Sequence, residues 1–212
     1  MQEISWKDNL RIAWFGCFLT GASISLVVPF MPIFVEQLGI EGDQVAFYSG
    51  LAISVSAISA AFVSPIWGIL ADKYGRKPMM IRAGLAMTIT MGGLAFVPNV
   101  FWLLFLRFLN GVFTGFVPNA TALIASQVPK DRSGYALGTL STGVVAGTLT
   151  GPFVGGFIAE IFGIRNVFLL VGGFLFLAAI LTILFIKENF QPVPKEKALP
   201  TKELFTSVKY PF

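Results

Sequence analysis

Histidine is absent from the 212 residues, and cysteine occurs once, at Cys17. The first absence removes the commonest metal ligand and the usual general base at neutral pH. The second rules out a disulfide within the chain. With no imidazole to activate it, Cys17 reads as packing inside an apolar run. Charge is scarce too: 12% of the residues are Asp, Glu, Lys or Arg, against 55% hydrophobic. The acids Glu36, Asp72, Asp131 and Glu160 stand near the ends of apolar runs, and none occupies a run centre. There is no phosphate loop and no nucleophile paired with a base. These gaps exclude a metal centre and a Cys–His nucleophile, make an enzyme the least supported class and leave no cofactor to expect.

What remains is apolar sequence in long runs. The mean hydropathy of +0.78 is too high for a soluble domain of this size. A bilayer core takes about 20 apolar residues per helix. Runs of that kind lie at Ile12–Val35, Val45–Ala71, Met79–Val97, Phe101–Ser126, Tyr135–Ile158 and Val167–Ile186. The expected fold is therefore an all-α membrane protein, a six-transmembrane-helix bundle. A pI near 9.3 does not point to nucleic acid, because the cations sit in short connections between the runs. With six crossings, every Lys and Arg except Arg107 and Arg165 falls on one side, while the first opposite loop carries Glu36, Glu41 and Asp43. Positive charge stays inside, which puts both termini in the cytoplasm of a multi-pass protein of the cell (plasma) membrane. No small-residue cleavage site follows the first run, so that run is expected to stay as an anchor.

After Ile186 the chain becomes polar, with Pro192, Pro194 and Pro200 among Lys and Glu, before turning apolar at Tyr210–Phe212. The expected organisation is a bundle over 1–186 and a solvated cytoplasmic linker over 187–212 that leads to a missing second bundle.

Four strings stand out. The first is the basic turn GILADKYGRKP at Gly68–Pro78, between the second and third spans. There Gly68 would allow close approach of a neighbour, Asp72 would accept hydrogen bonds, and Gly75 would supply a positive φ. Arg76 and Lys77 could pair with Asp72 or with the phosphates of membrane lipid. Read blandly, this is a polar turn carrying topology charges.

The second string is a polar stripe in the fourth span: Arg107, Asn110, Thr114 and Thr121 share a helical face. A mid-membrane Arg costs about 2.5–3.5 kcal/mol and needs a partner or a wet cavity. With a helix beginning near Phe101, however, Arg107 would lie only about 9 Å deep at 1.5 Å per residue and could snorkel outward.

The third string is in the fifth span, with Gly138, Gly147, Gly151, Pro152, Gly155 and Gly156. Glycines four apart form a face without side chains, suited to tight helix contact, and Pro152 should bend the helix. The fourth is the pair Pro29 and Pro32, expected to bend the outer end of the first span. Ser54, Ser56, Ser59 and Ser64 read as helix–helix packing.

These strings resemble motifs of the major facilitator superfamily. The turn fits G-x-L-A-D-R/K-x-G-R-K at every defined position. Leu103-x-x-x-Arg107-x-x-Asn110-Gly111 is similar to L-x-x-x-R-x-x-Q-G, with Asn in place of Gln. The fifth span matches the antiporter spacing G-x8-G-x3-G-P-x2-G-G, and Pro29-x-x-Pro32 resembles a first-span motif whose preceding Leu-Gly is here Ala22-Ser23.

The resemblance implies the N-terminal half of a twelve-helix drug:proton antiporter. Such a protein exports amphipathic drugs such as fluoroquinolones and dyes against inward-moving protons, by rocking two six-helix bundles about a central cavity. It further implies that Asp72 latches the cytoplasmic gate and that Arg107 couples protons. The fifth-span seam would meet the opposite half, and the proton-accepting carboxylates would lie in the missing C-terminal six-helix half. Two other expectations stay open: half of a nutrient/proton symporter on the same fold, or a six-span self-associating channel-like protein.

Overall fold

The computed structural model describes residues 5–190, and all of its regular elements are helices. Six stretches are long and apolar enough to cross a membrane. The first is α1, Trp6–Val27, which starts where the Ser5 hydroxyl accepts the Asp8 N–H at 3.4 Å. It stops eight residues before the expected end at Val35. The chain turns over 28–30 and restarts as the short helix α2, Met31–Gln37. Pro29 has no N–H to continue α1, and Pro32 sits in the first turn of α2, where no N–H is required. The two prolines therefore divide the segment rather than bend it.

The second span, α3 (Gln44–Tyr74), runs through Pro65 without a break. The third is α4 (Arg76–Gly93), extended by a 3₁₀ turn at Leu94–Phe96. The fourth departs most from expectation. It is two helices, α5 (Val100–Phe113) and α6 (Phe116–Gln127). Thr114 is extended with ψ 168°, and Gly115 takes φ +132°, a region that costs glycine little and other residues much. The last two spans are α7 (Ser133–Phe162), continuous through Pro152, and α8 (Ile164–Phe185), joined at Gly163 with φ +84°.

Helix α1 packs against α6, α7 and α8, while α4 lies on α8 and α3 lies on α5. Large apolar side chains fill the two ends of the bundle. Phe34, Met91, Leu103 and Phe168 anchor the end away from the basic turn, with the Phe34 and Phe168 rings 4.5 Å apart. Cys17, Met80, Phe116 and Leu123 anchor the turn end. At the far end Arg165 donates to the Ala95 and Val97 carbonyls, at 2.9 and 3.3 Å.

Coverage is uneven. The most apolar window of the first span is 61% buried, against 6% for α3 and 17% for the fifth span. Aromatic side chains such as Phe62 on α3 and Phe153 on α7 stand exposed. Apolar faces this large are not left in water, so α3 and α7 present surfaces to lipid or to further protein.

Candidate functional site

The polar stripe is placed by the cap of α5. The Asn99 carboxamide accepts the N–H groups of Phe101 and Trp102, at 3.1 and 3.2 Å, which starts the helix and sets Arg107 two turns in. The Arg107 Nε donates to the Ala52 carbonyl of α3 at 3.1 Å, and Nη1 lies 3.8 Å from the Met91 sulfur of α4. Arg107 is 6% exposed, so it has turned into the bundle rather than snorkelled outward. The ion pairs among the described residues are Arg11–Asp8, Arg76–Asp72 and Arg132–Asp131, and none of them uses Arg107.

One turn along, the Asn110 Nδ2 donates to the Thr90 hydroxyl at 3.1 Å, and its Oδ1 faces the Ser56 hydroxyl at 3.4 Å. Gly111 lets α3 and α5 touch, and Ser59 donates across that contact to the Phe108 carbonyl at 3.0 Å. Ser56 and Ser59 thus do the packing expected of them. Thr114 stands at the helix break, with its hydroxyl 3.9 Å from the Met87 sulfur. Thr121 lies beyond the break and donates to its own helix at Val117. The stripe therefore ends at Thr114, because the change of direction at Gly115 carries α6 off the line.

Beside the break is a cavity of about 490 Å³, lined by α1, α3 and the α5–α6 junction, including Thr20, Ser64, Trp67, Gly111, Thr114 and Asn119. Its size and mostly apolar wall, with a few polar groups, suit a small amphipathic molecule.

The basic turn sits at one end of this cavity. Gly75 has φ +100°, as its place in the sequence predicts. The Asp72 carboxylate, near the end of α3, accepts from the Arg76 guanidinium across the Gly75 corner and is 61% exposed. The Lys77 ammonium donates to the Ile183 carbonyl at 3.0 Å rather than to Asp72. Gly68 is corrected: among the described residues no neighbour lies within 4 Å of where its Cβ would stand, and it borders the cavity instead of touching a neighbouring helix.

The sequence reading missed Glu188. Its two carboxylate oxygens accept the backbone N–H groups of Arg76 and Lys77, both at 2.8 Å. These are among the first N–H groups of α4, which have no partner within the helix and favour negative charge. The neighbouring Lys187 carbonyl accepts from the side chains of Asn9 and Gln127, at 2.6 and 3.0 Å. The stretch expected to be a solvated linker from 187 onward is therefore bound to the bundle at its first two residues; residues 191–212 of that expected linker lie outside the described residues. No sequence signal distinguishes Glu188 from the other polar residues after Ile186, because its partners are more than a hundred positions away. Glu188→Ala should cost about 1 kcal/mol, as loss of a helix cap does. It should speed amide exchange at Arg76 and Lys77 several-fold, and unchanged exchange at those two amides would remove the cap.

The glycine face of α7 also has a definite neighbour, which is α1. An added Cβ would lie 2.8 Å from the Trp14 carbonyl at Gly143 and 2.7 Å from the Ala22 carbonyl at Gly151. At Gly147 it would overlap the Phe18 carbonyl, and at Gly155 it would come 2.8 Å from the Phe30 ring. The expectation that this seam meets the opposite half is corrected, since α1 already fills it. Among the described residues nothing lies within 4 Å of a Cβ at Gly138 or Gly156, and both lie off the seam, as does exposed Pro152. Gly143 belongs to it and was missed, although the four-residue spacing extends to it.

The Major Facilitator Superfamily profile matches residues 13–211. Over all 212 residues the chain is 87% identical to the multi-drug resistance efflux pump PmrA of Streptococcus pneumoniae serotype 4, covering 53% of that protein. It is 57% identical over 207 residues to the PmrA homolog of Lactococcus lactis, across 98% of this chain and 51% of that one. To the multidrug resistance protein MdtG of Proteus mirabilis it is 50% identical over 206 residues, across 97% of this chain and 51% of the other. The chain thus spans about half the length of the curated relatives it matches.

Two solved structures share the fold, both at 16% identity and with a TM-score of 0.78. The human organic anion transporter MFSD10 aligns over 95% of this chain and 53% of its own. The POT family transporter PepTSo aligns over 90% of this chain and 40% of its own. With six membrane-capable helices and a profile match over nearly its whole length, the chain belongs to the Major Facilitator Superfamily, a family of membrane transporters and not of enzymes.

Proposed function

We propose that this chain is the N-terminal six-helix half of a proton-driven multidrug efflux transporter, exchanging amphipathic drugs such as fluoroquinolones and dyes for protons. The observation that carries the reading is Arg107, buried in the bundle against a carbonyl and a thioether with no carboxylate paired to it among the described residues. Proton exchange at membrane depth needs an acid, and an unpaired guanidinium favours the ionised form of any carboxylate brought near it. The acid then comes from the second half, and Arg107 sets how readily it releases its proton. Asn110 and Thr114 extend the polar line from Arg107 to the break beside the cavity. Drug export is supported by the names of the relatives, PmrA and MdtG.

In this reading the bare faces of α3 and α7 pack on the second bundle, and the cavity beside Thr114 is one wall of a larger central site. The basic turn lies on the cytoplasmic side of the cell membrane, as do both termini. Exposed Asp72 is available to hold the partner half while Arg76 competes for it, and Arg76 and Lys77 can meet lipid phosphate.

The test uses everted membrane vesicles holding the full-length transporter or this chain alone, with a fluorescent cationic dye in the outer medium. The full-length protein should take up dye against its gradient only while the vesicle interior is acidic. The chain alone should take up none. Uphill transport by the chain alone, or transport that survives collapse of the proton gradient, would overturn the proposal.

A further inference from the structure

The break in the fourth span leaves the Val112 carbonyl without its helical partner, the Thr114 carbonyl has none to find because the residue four on is Pro118, and inside a membrane such groups must be satisfied within the protein. Both are met by side chains from other spans. The Trp67 indole N–H of α3 donates to the Val112 carbonyl at 2.6 Å. The Arg82 guanidinium of α4 donates through Nη2 to the Thr114 carbonyl at 3.2 Å. The two donors are one unit, because the Arg82 Cζ lies 3.4 Å from the centroid of the Trp67 ring.

By sequence Arg82 counts as one more cation at the basic end. The structure instead holds it half-buried over an indole face, with Nε and Nη1 buried and meeting no acceptor among the described residues. A guanidinium offers five donors. One that stays in place with buried donors unmet is held by its stack and by the carbonyl end of α5, where a cation is favoured.

The placement of the pair gives it a consequence. Trp67 lies five residues before Asp72, and Arg82 lies six after Arg76, so the two flank the basic turn. Their acceptors lie two and four residues after Asn110. We propose that Arg82 and Trp67 are positioning residues that set the geometry of the α5–α6 break and tie it to the turn between α3 and α4. A shift of the turn moves both donors. The donors move the Val112 and Thr114 carbonyls, and with them the end of α5 that carries Asn110 and Arg107. Gly115 supplies the pivot, since its backbone tolerates positive φ. Arg82 lies outside the cavity lining and acts through the span it holds, whereas the Trp67 ring also borders the cavity. The link to transport rests on the function proposed above, whereas the link between stack and break does not.

The experiment uses the full-length transporter with its native cysteines, Cys17 among them, replaced by Ser and a single reporter, Val117→Cys, on the cavity wall just past the break. Maleimide labelling reads the break, and dye efflux reads transport. Arg82→Gln should speed labelling about tenfold, the weight of one hydrogen bond to a charged group. Trp67→Phe, which keeps the ring but loses the donor, should have a similar effect. The double variant should label no faster than either single, because the two residues act as one unit. Arg82→Lys should recover part of the parental rate. Efflux should slow in both single variants, and in Arg82→Gln, which leaves the cavity wall untouched, the KM for dye should stay unchanged.

Labelling within twofold of the parent in both single variants overturns the inference, and so do effects that multiply in the double. If Arg82→Gln fails to insert, Arg82→Lys and Trp67→Phe decide it on the same readouts. If the parent itself moves no dye, the proposed transport fails while labelling still judges the stack. If the parent transports normally and labelling does not respond, the stack alone is refuted.

Discussion

Gly151→Leu will stop this bundle from folding. A Cβ at Gly151 already comes within 2.7 Å of the Ala22 carbonyl and 3.3 Å of its Cα, and leucine adds three more carbons in the same direction. Backbone has no rotamer with which to yield. Helix α1 cannot retreat either, because α6 and α8 hold its other sides. Overpacking of a closed core costs roughly 1–3 kcal/mol and sometimes more. A membrane bundle has little margin to absorb that, since lipid is as apolar as the helices and association depends on close fit.

The expected result is loss of the monodisperse species on size exclusion, or a fall of many degrees in the thermal midpoint, in this chain by itself. Gly138→Leu and Gly156→Leu should behave like the parent, because no described residue lies within 4 Å of either added Cβ. If Gly151→Leu matched those two controls, the α1–α7 seam would not be what holds the helices together.

Arg107→Ala should do the reverse, leaving the fold intact and removing the activity. The guanidinium gains a hydrogen bond to the Ala52 carbonyl, worth about 1.5–3 kcal/mol for a charged donor. It also keeps a charge at membrane depth, at about 2.5–3.5 kcal/mol. The two magnitudes nearly cancel, so alanine should insert normally and melt close to the parent. Proton-coupled dye efflux by the full-length transporter should fall about 10- to 100-fold, the loss expected when a charged interaction of that size is absent from the working state. Arg107→Lys should recover a fraction, because it keeps the charge but not the Nε that reaches Ala52. Full efflux from the alanine variant would end the case for Arg107 in coupling.

Much of the architecture is written in the linear chain. Six crossings follow from hydropathy and length, because transfer of about 20 apolar residues into a bilayer is a sum over local terms. The positive φ at Gly75 follows from a two-helix turn with glycine at its corner, and the inert setting of Cys17 follows from its apolar surroundings. Arg107 could be singled out because a charge inside such a run is rare.

The same summation explains what was hidden. A window of 20 residues does not register Thr114–Gly115, where neither residue is charged and both neighbours are apolar, so the fourth span read as one helix. The restart at Met31 was likewise absorbed into a single long run.

Other features depended on distance in sequence rather than on composition. The Glu188 carboxylate reaches Arg76 and Lys77 from more than a hundred residues further along the chain, and Trp67 and Arg82 reach Val112 and Thr114 from other spans. The glycine face on α7 was visible as a pattern, but a face without side chains fits any helix that comes close. Only the folded chain settled on α1. Local chemistry fixed which segments enter the membrane and where the backbone must turn, because those choices sum residue by residue. Which carbonyls are met by which donors, and which helix fills which groove, were decided in three dimensions, because they depend on partners that adjacency in sequence does not encode.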